Sequence, residues 1–132
     1  MLAKLVSFET VSDQSNLEMI AFVEDYLFEH GVSSTRVYND LGDKAALFAT
    51  IGPEVDGGIV LSGHTDVVPV ADQVWSHNPF KLLEKDGLLY GRGAADMKGF
   101  LACILANVPK MLASDLKYPI HIALSYDEEV GC

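Results

Sequence analysis

Three places in the 132-residue chain set metal-ligating or proton-handling side chains just past a stretch that reads as a strand. The apolar run Gly58-Ile59-Val60-Leu61 reaches Gly63 and is followed at once by His64 and Asp66. Asp96 comes after the glycine-rich Gly91-Arg92-Gly93-Ala94-Ala95, and Glu128 and Glu129 follow the apolar segment Pro119 to Tyr126. In an α/β sheet, ligands bind in the crevice beyond the carboxyl ends of the strands. His, Asp and Glu together suit zinc or a similar divalent ion. An imidazole there binds metal through one ring nitrogen while a carboxylate, here Asp66, holds the other N–H. A carboxylate shared by two ions permits a co-catalytic pair. Adjacent glutamates suit a division of labour, one ligating and the other moving protons. The bland alternative for His64 and Asp66 is a pair that orders a loop by hydrogen bonds. The residues point to a divalent-metal site and name no substrate.

Other chemistries find less support. Gly91-Arg92-Gly93 begins a dinucleotide fingerprint, but its third glycine position is Asp96. No phosphate-loop pattern occurs. Cys103 falls in an apolar helical pattern, where burial is expected, and has no evident base. His30 reads as a helix-terminus residue, His77 as a solvated loop residue, and His121 as a packing residue within a strand.

Composition narrows the classes further. With 9 basic and 19 acidic residues the formal charge is -10. Nucleic acids and anionic membranes need basic patches, so both are excluded as expected partners. Hydrophobic residues make up 49% and mean hydropathy is +0.20, which suggests part of a larger sheet covered on both faces. Two cysteines, Cys103 and Cys132, build no disulfide framework, which favours a reducing compartment. The first residues carry no signal-peptide pattern and no segment has the length of a membrane span, so a cytoplasmic location is expected.

The elements that must position these residues are legible from periodicity. Leu2, Leu5 and Val6 imply a short opening helix. Ser15 and Glu18 have capping-box spacing before a second helix carrying Leu17, Ile20, Val23 and Leu27, which ends at His30-Gly31. Strands are expected over 32–38, 45–51, 57–63, where the run should be central and buried, and 119–126. Lys85-Asp86-Gly87 marks a hairpin between 80–84 and 88–90. A helix over 97–113 contains Pro109, which should kink it or end its regular part. Strands alternating with helices give an α/β class with a mixed, largely parallel sheet flanked by helices.

Three motifs, SGHTDVVPV (62–70), GRGAADMKG (91–99) and SYDEEVGC (125–132), occur in this order. Together they resemble the zinc amidohydrolase family of acetylornithine deacetylase, succinyl-diaminopimelate desuccinylase and carboxypeptidase-like relatives. WSHNPF (75–80) and GRGAADMKGFLA bring the likeness nearest to the deacetylase branch. The resemblance implies two zinc ions, or cobalt in their place. His64 would ligate one ion, Glu129 the other, and Asp96 would bridge them. Asp66 would orient His64, and Glu128 would act as the general base on water attacking an N-acyl amino acid. It further implies a cis peptide at Asp96-Met97 and a role in arginine biosynthesis, with N2-acetylornithine split into ornithine and acetate. On this likeness, residues 1–132 form an incomplete catalytic domain. The family's further ligands and its lid, which makes a homodimer, have no counterpart here. A non-catalytic metal-binding fragment is the rival expectation, and turnover by the chain alone is not expected.

Overall fold

The computed structural model describes residues 1–131; Cys132, the second cysteine of the disulfide argument, lies outside them. The chain runs α1 (Leu2–Val6), α2 (Leu17–Glu29), β1 (Ser34–Tyr38), β2 (Ala45–Ile51), β3 (Ile59–His64), β4 (Leu83–Lys85), β5 (Leu88–Tyr90), α3 (Lys98–Leu112) and β6 (Ile120–Ser125). A 3-10 turn, Glu128–Val130, follows.

The stripe expected for α2 is buried: Met19, Ile20, Val23 and Leu27 face the core. Its end follows the sequence signal. Gly31 takes φ +75°, and the Val32 N–H returns to the Leu27 carbonyl at 2.9 Å. The expected capping box does not form. Asn16 is the N-cap residue, and its side chain is engaged with Ala45, while the Leu17 N–H donates to Ser15 Oγ at 3.2 Å.

α3 continues for three residues past Pro109. A helical proline leaves the carbonyl four residues earlier, here that of Leu105, without its donor. The Tyr26 hydroxyl of α2 donates to that carbonyl at 3.0 Å, which replaces the missing bond. Apolar residues surround α3, yet its buried core face is limited to Leu101, Ala102, Ile104, Leu105 and Val108, with Met111 packed against their cluster. Cys103 points outward and is exposed, contrary to its expected burial.

Four strands form the sheet in the order β1-β2-β6-β3. β1 with β2 and β2 with β6 are antiparallel, and β3 with β6 is parallel. The mixed α/β class therefore stands, with one parallel pairing among three rather than a mostly parallel sheet. β4 and β5 form a separate hairpin whose turn residues Asp86 and Gly87 both take positive φ, as a two-residue I′ turn requires.

Alternation divides the sheet into unlike faces. Ala45, Leu47, Ala49 and Ile51 of β2 and Ile122 and Leu124 of β6 join the core made by the helices. The opposite face is uncovered, with Phe48 45% and Val60 56% exposed. His121 sits on this open face, stacked on Phe48 and bonded to Thr50. The strand expected to be central, β3, is at the sheet edge. An Ile-Val-Leu run reports apolar character, but strand order is set by partners far away in sequence.

Candidate metal centre

The parallel pairing of β3 with β6 runs from Ile59↔Ile120 to His64↔Ser125, so both strands deliver their following residues to the same end of the sheet. The Thr65 N–H extends this pairing to the Ser125 carbonyl at 2.9 Å. Gly63 admits α3 to the same place. A Cβ there would lie 2.7 Å from Leu101 Cδ2 and 3.0 Å from Met97 Cε, closer than side chains pack. The His64 N–H donates to Met97 Sδ at 3.2 Å. Asp96, which precedes Met97 through a cis peptide bond, is thereby held beside His64.

His64, Asp96 and Glu129 each offer one ligand atom, and these atoms lie within 4.8 Å of one another. His64 Nε2 is 3.1 Å from Asp96 Oδ1 and 3.8 Å from Glu128 Oε2. The imidazole is buried, while the Asp96 side chain is 75% exposed, so the cluster opens to solvent on its carboxylate side. His30 and His121 lie apart, the first bonded to the Tyr26 carbonyl and the second on the open sheet face. His77, expected in solvent, is half-buried against the edge of Trp75.

The structure changes how Asp66 serves the imidazole. His64 Nδ1 lies 2.9 Å from the main-chain carbonyl of Asp66, whereas the Asp66 carboxylate is at 3.5 Å, too long for a good hydrogen bond. A carbonyl only accepts, so Nδ1 carries the hydrogen and the Nε2 lone pair faces the Asp96 carboxylate. Two acceptors at 3.1 Å require a proton or a cation between them. The donor set and this orphaned pairing both fit a divalent ion.

The Asp66 carboxylate has other work. It accepts the Ser12 hydroxyl at 2.7 Å and the N–H groups of Glu128 and Glu129, each at 3.2 Å. Beneath it lies a layer of buried polar residues. Thr10 Oγ1 donates to the Thr65 carbonyl, Asn16 Nδ2 donates to the Ala45 carbonyl and to Thr65 Oγ1, and Thr65 Oγ1 donates to the Ser125 carbonyl. Lys98, fully buried in the first turn of α3, donates to the Phe8 carbonyl at 2.6 Å. Sequence reasoning missed these residues. The signal was present only as polar residues next to apolar ones at 10–16, where Thr10-Val11-Ser12-Asp13 reads simply as a helix breaker.

Around His64 and Glu129 the electrostatics favour positive charge, whereas burial at Lys98 disfavours it. Burial disfavours imidazolium at His64, but the Asp66 carbonyl and the Asp66 and Asp96 carboxylates outweigh it and hold its pKa above the ordinary value. Glu129 is pushed up by burial first and then by the Asp96 charge, with His64 opposing. Lys98 is lowered by burial to about 8.

Known proteins share the sequence pattern and the fold of this chain. Residues 60–132, which contain all five candidate side chains, match the model of peptidase family M20/M25/M40. The chain is 40% identical over 124 residues to a Shigella sonnei protein named acetylornithine deacetylase, covering 93% of this chain and 32% of that protein. A Pasteurella multocida protein of the same name is 39% identical over 136 aligned positions, covering 98% of this chain and 35% of that one. The chain thus spans about a third of the length of these relatives. Among solved structures, human carnosine dipeptidase 1 superposes with a TM-score of 0.84 at 31% identity, covering 98% of this chain and 32% of that chain. With strand-end histidine and carboxylates clustered on a shared fold, and with the family's pattern matched over more than half its length, the chain belongs to peptidase family M20/M25/M40.

Proposed function

We propose that this chain is a catalytic portion of a zinc-dependent amide hydrolase that releases acetate from N2-acetylornithine, a step in making arginine. The observation that carries the proposal is the convergence of His64, Asp96 and Glu129 with Glu128 beside them, in a chain 40% identical to a deacetylase. His64 and Glu129 would each hold one of two zinc ions, and Asp96 would be shared between them. Cobalt would substitute for zinc. Such ions supply Lewis-acid polarisation of an acyl carbonyl and lower the pKa of water.

The chain's own groups do the rest. The Asp66 carbonyl fixes the His64 tautomer, so Nε2 keeps its lone pair toward the carboxylates. The Asp66 carboxylate fixes the backbone of Glu128 and Glu129. Glu128, exposed and not among the three ligating side chains, takes a proton at its carboxylate from the attacking water. The water oxygen bonds to the acetyl carbon, the C–N bond breaks, and Glu128 returns the proton to the leaving amine. Acetate and ornithine are the products. The likeness to a dipeptidase at 31% identity favours a second reading, in which the amide cleaved joins two amino acids.

The test completes the chain to the length of its relatives with the remaining two-thirds of the Shigella sonnei protein, supplies zinc, and measures product from N2-acetylornithine and from a dipeptide. Zinc-dependent acetate release supports the proposal, and Glu128→Gln should cut it by about 10²–10⁴-fold while zinc content stays the same. Dipeptide hydrolysis without acetate release favours the second reading. Loss of zinc in Glu128→Gln would exchange the roles of the two glutamates. The 132-residue chain alone, with three ligating residues for two ions, is expected to bind metal weakly and to release no acetate.

A further inference from the structure

We propose that Lys44 and Asp127 are positioning residues, a clasp that sets where Glu128 and Glu129 stand relative to His64. This rests on the reading of those two glutamates as the proton-transfer and metal-binding pair.

Lys44 precedes β2, far in sequence from any candidate ligand. Its Nζ donates to the Ser12 carbonyl at 2.5 Å and to Asp127 Oδ1 at 2.5 Å. Those two partners belong to the same two segments that the Asp66 carboxylate holds from the other side. Ser12 gives its carbonyl to Lys44 and its hydroxyl to Asp66. The turn after β6 gives the Asp127 carboxylate to Lys44 and the N–H groups of Glu128 and Glu129 to Asp66. The contacts therefore close a circuit: Lys44, Ser12, Asp66, the glutamate turn, Asp127, and Lys44 again.

The turn needs such a clasp. Asp127 is a non-glycine residue at φ +62°, in the left-handed region that side chains disfavour. The turn that follows spans only three residues, none of them buried, so hydrophobic packing does not fix it. Its two bonds to Asp66, at 3.2 Å, are at the long end for N–H donors. Lys44 supplies a charge-assisted bond at the residue where the chain changes direction. The Lys44 and Asp127 side chains are 14% and 33% exposed, so the pair is partly solvated and adds little to global stability. Its effect is local geometry. Partners that orient metal ligands from behind typically carry about 10–100-fold in metal affinity.

The test has a metal-free arm and a metal arm, both on the 132-residue chain. Amide exchange is measured by NMR without metal in the parent, Lys44→Met, Lys44→Arg and Asp127→Asn. Exchange at Glu128 and Glu129 should speed up about 10-fold or more in Lys44→Met and Asp127→Asn. The amides of Ala49 and Ile122 should be unchanged, and Lys44→Arg should restore the parent rates. Cobalt is then titrated while its d–d absorption is followed, and affinity should fall about 10-fold or more in Lys44→Met and Asp127→Asn. Parent-like exchange at both glutamates in either variant overturns the clasp. So does faster exchange spread evenly through β2 and β6, which would make the pair a general support. If the parent takes up no cobalt, the metal reading fails, and the metal-free arm still decides the clasp. Should Lys44→Met not fold, Asp127→Asn, which changes one oxygen on a partly exposed side chain, decides it.

Discussion

His64 and Glu129 are each held at a pKa above the ordinary value, and the sign of both shifts gives the metal-free chain a definite pH response. Stabilisation by protonated His64 is fully present below its ordinary 6.5 and is lost as pH rises through the higher folded value. A raised Glu129 acts in the same direction, because its ionised form is disfavoured in the fold once pH exceeds 4.5. Lys98 acts oppositely, but only between about 8 and 10.5. With a chelator present, the thermal midpoint should therefore fall between pH 5.5 and 7.5, and His64→Gln should flatten the trend. Added zinc should reverse it, since the ion binds deprotonated ligands and stabilises more as pH rises. A metal-free midpoint that climbs over this range would refute the assigned directions. At this scale much was legible. His64, Asp96 and Glu129 announce themselves because a glycine or an apolar run precedes each, so strand ends can be read locally. Ser12, Asn16 and Lys44 do not, since their partners lie 54, 29 and 83 residues away and nothing nearby predicts them. Nor could spacing show that a main-chain carbonyl, and not the Asp66 carboxylate, holds the imidazole.

Among the elements, the contact between β3 and α3 at Gly63 matters most. It lets Met97 reach the His64 N–H and so joins two of the three motifs. Gly63→Ala should force Leu101 and Met97 away and cost about 1–3 kcal/mol of stability, as overpacking does. Denaturant unfolding measures the loss, and cobalt affinity should fall with it because Asp96 moves off with α3. An alanine variant with parent stability and affinity would show that the approach is not needed. The helices, the hairpin and the strand segments followed from periodicity and turn residues. The edge position of β3 did not. Hydrophobicity shows that a strand is apolar on its faces, whereas its neighbours are chosen by pairing across long separations. The helical persistence of α3 past Pro109 was equally hidden, because the donor that repairs it, Tyr26, comes from another helix.

The molecule as a whole carries helices on one side of its sheet and an open apolar face and edge on the other. Ile59 and Val60 of β3 are 58% and 56% exposed along an edge of the sheet. Unpaired strand edges associate with other chains unless charge or shape prevents it. The formal charge of -10 opposes association at low ionic strength, and salt screens it. Sedimentation should therefore show self-association that grows with salt, and Val60→Lys should suppress it with stability changed by less than about 0.5 kcal/mol. A parent chain that stays monomeric at high salt would mean the edge is already protected.

The β3–β6 pairing also dictates timing. Thr65 and Ser125, which meet beneath the cluster, are 60 residues apart. A ribosome makes His64 first, Asp96 next and Glu129 after both, so the nascent chain displays an imidazole long before the carboxylates that complete its surroundings. While β6 is still unmade, β2 and β3 lack the strand that lies between them. Capture of an ion by all three side chains must therefore wait until the turn after β6 has left the exit tunnel. Metal loading by these three side chains, on the proposed reading, would follow the arrival of the third motif and not merely the presence of the first.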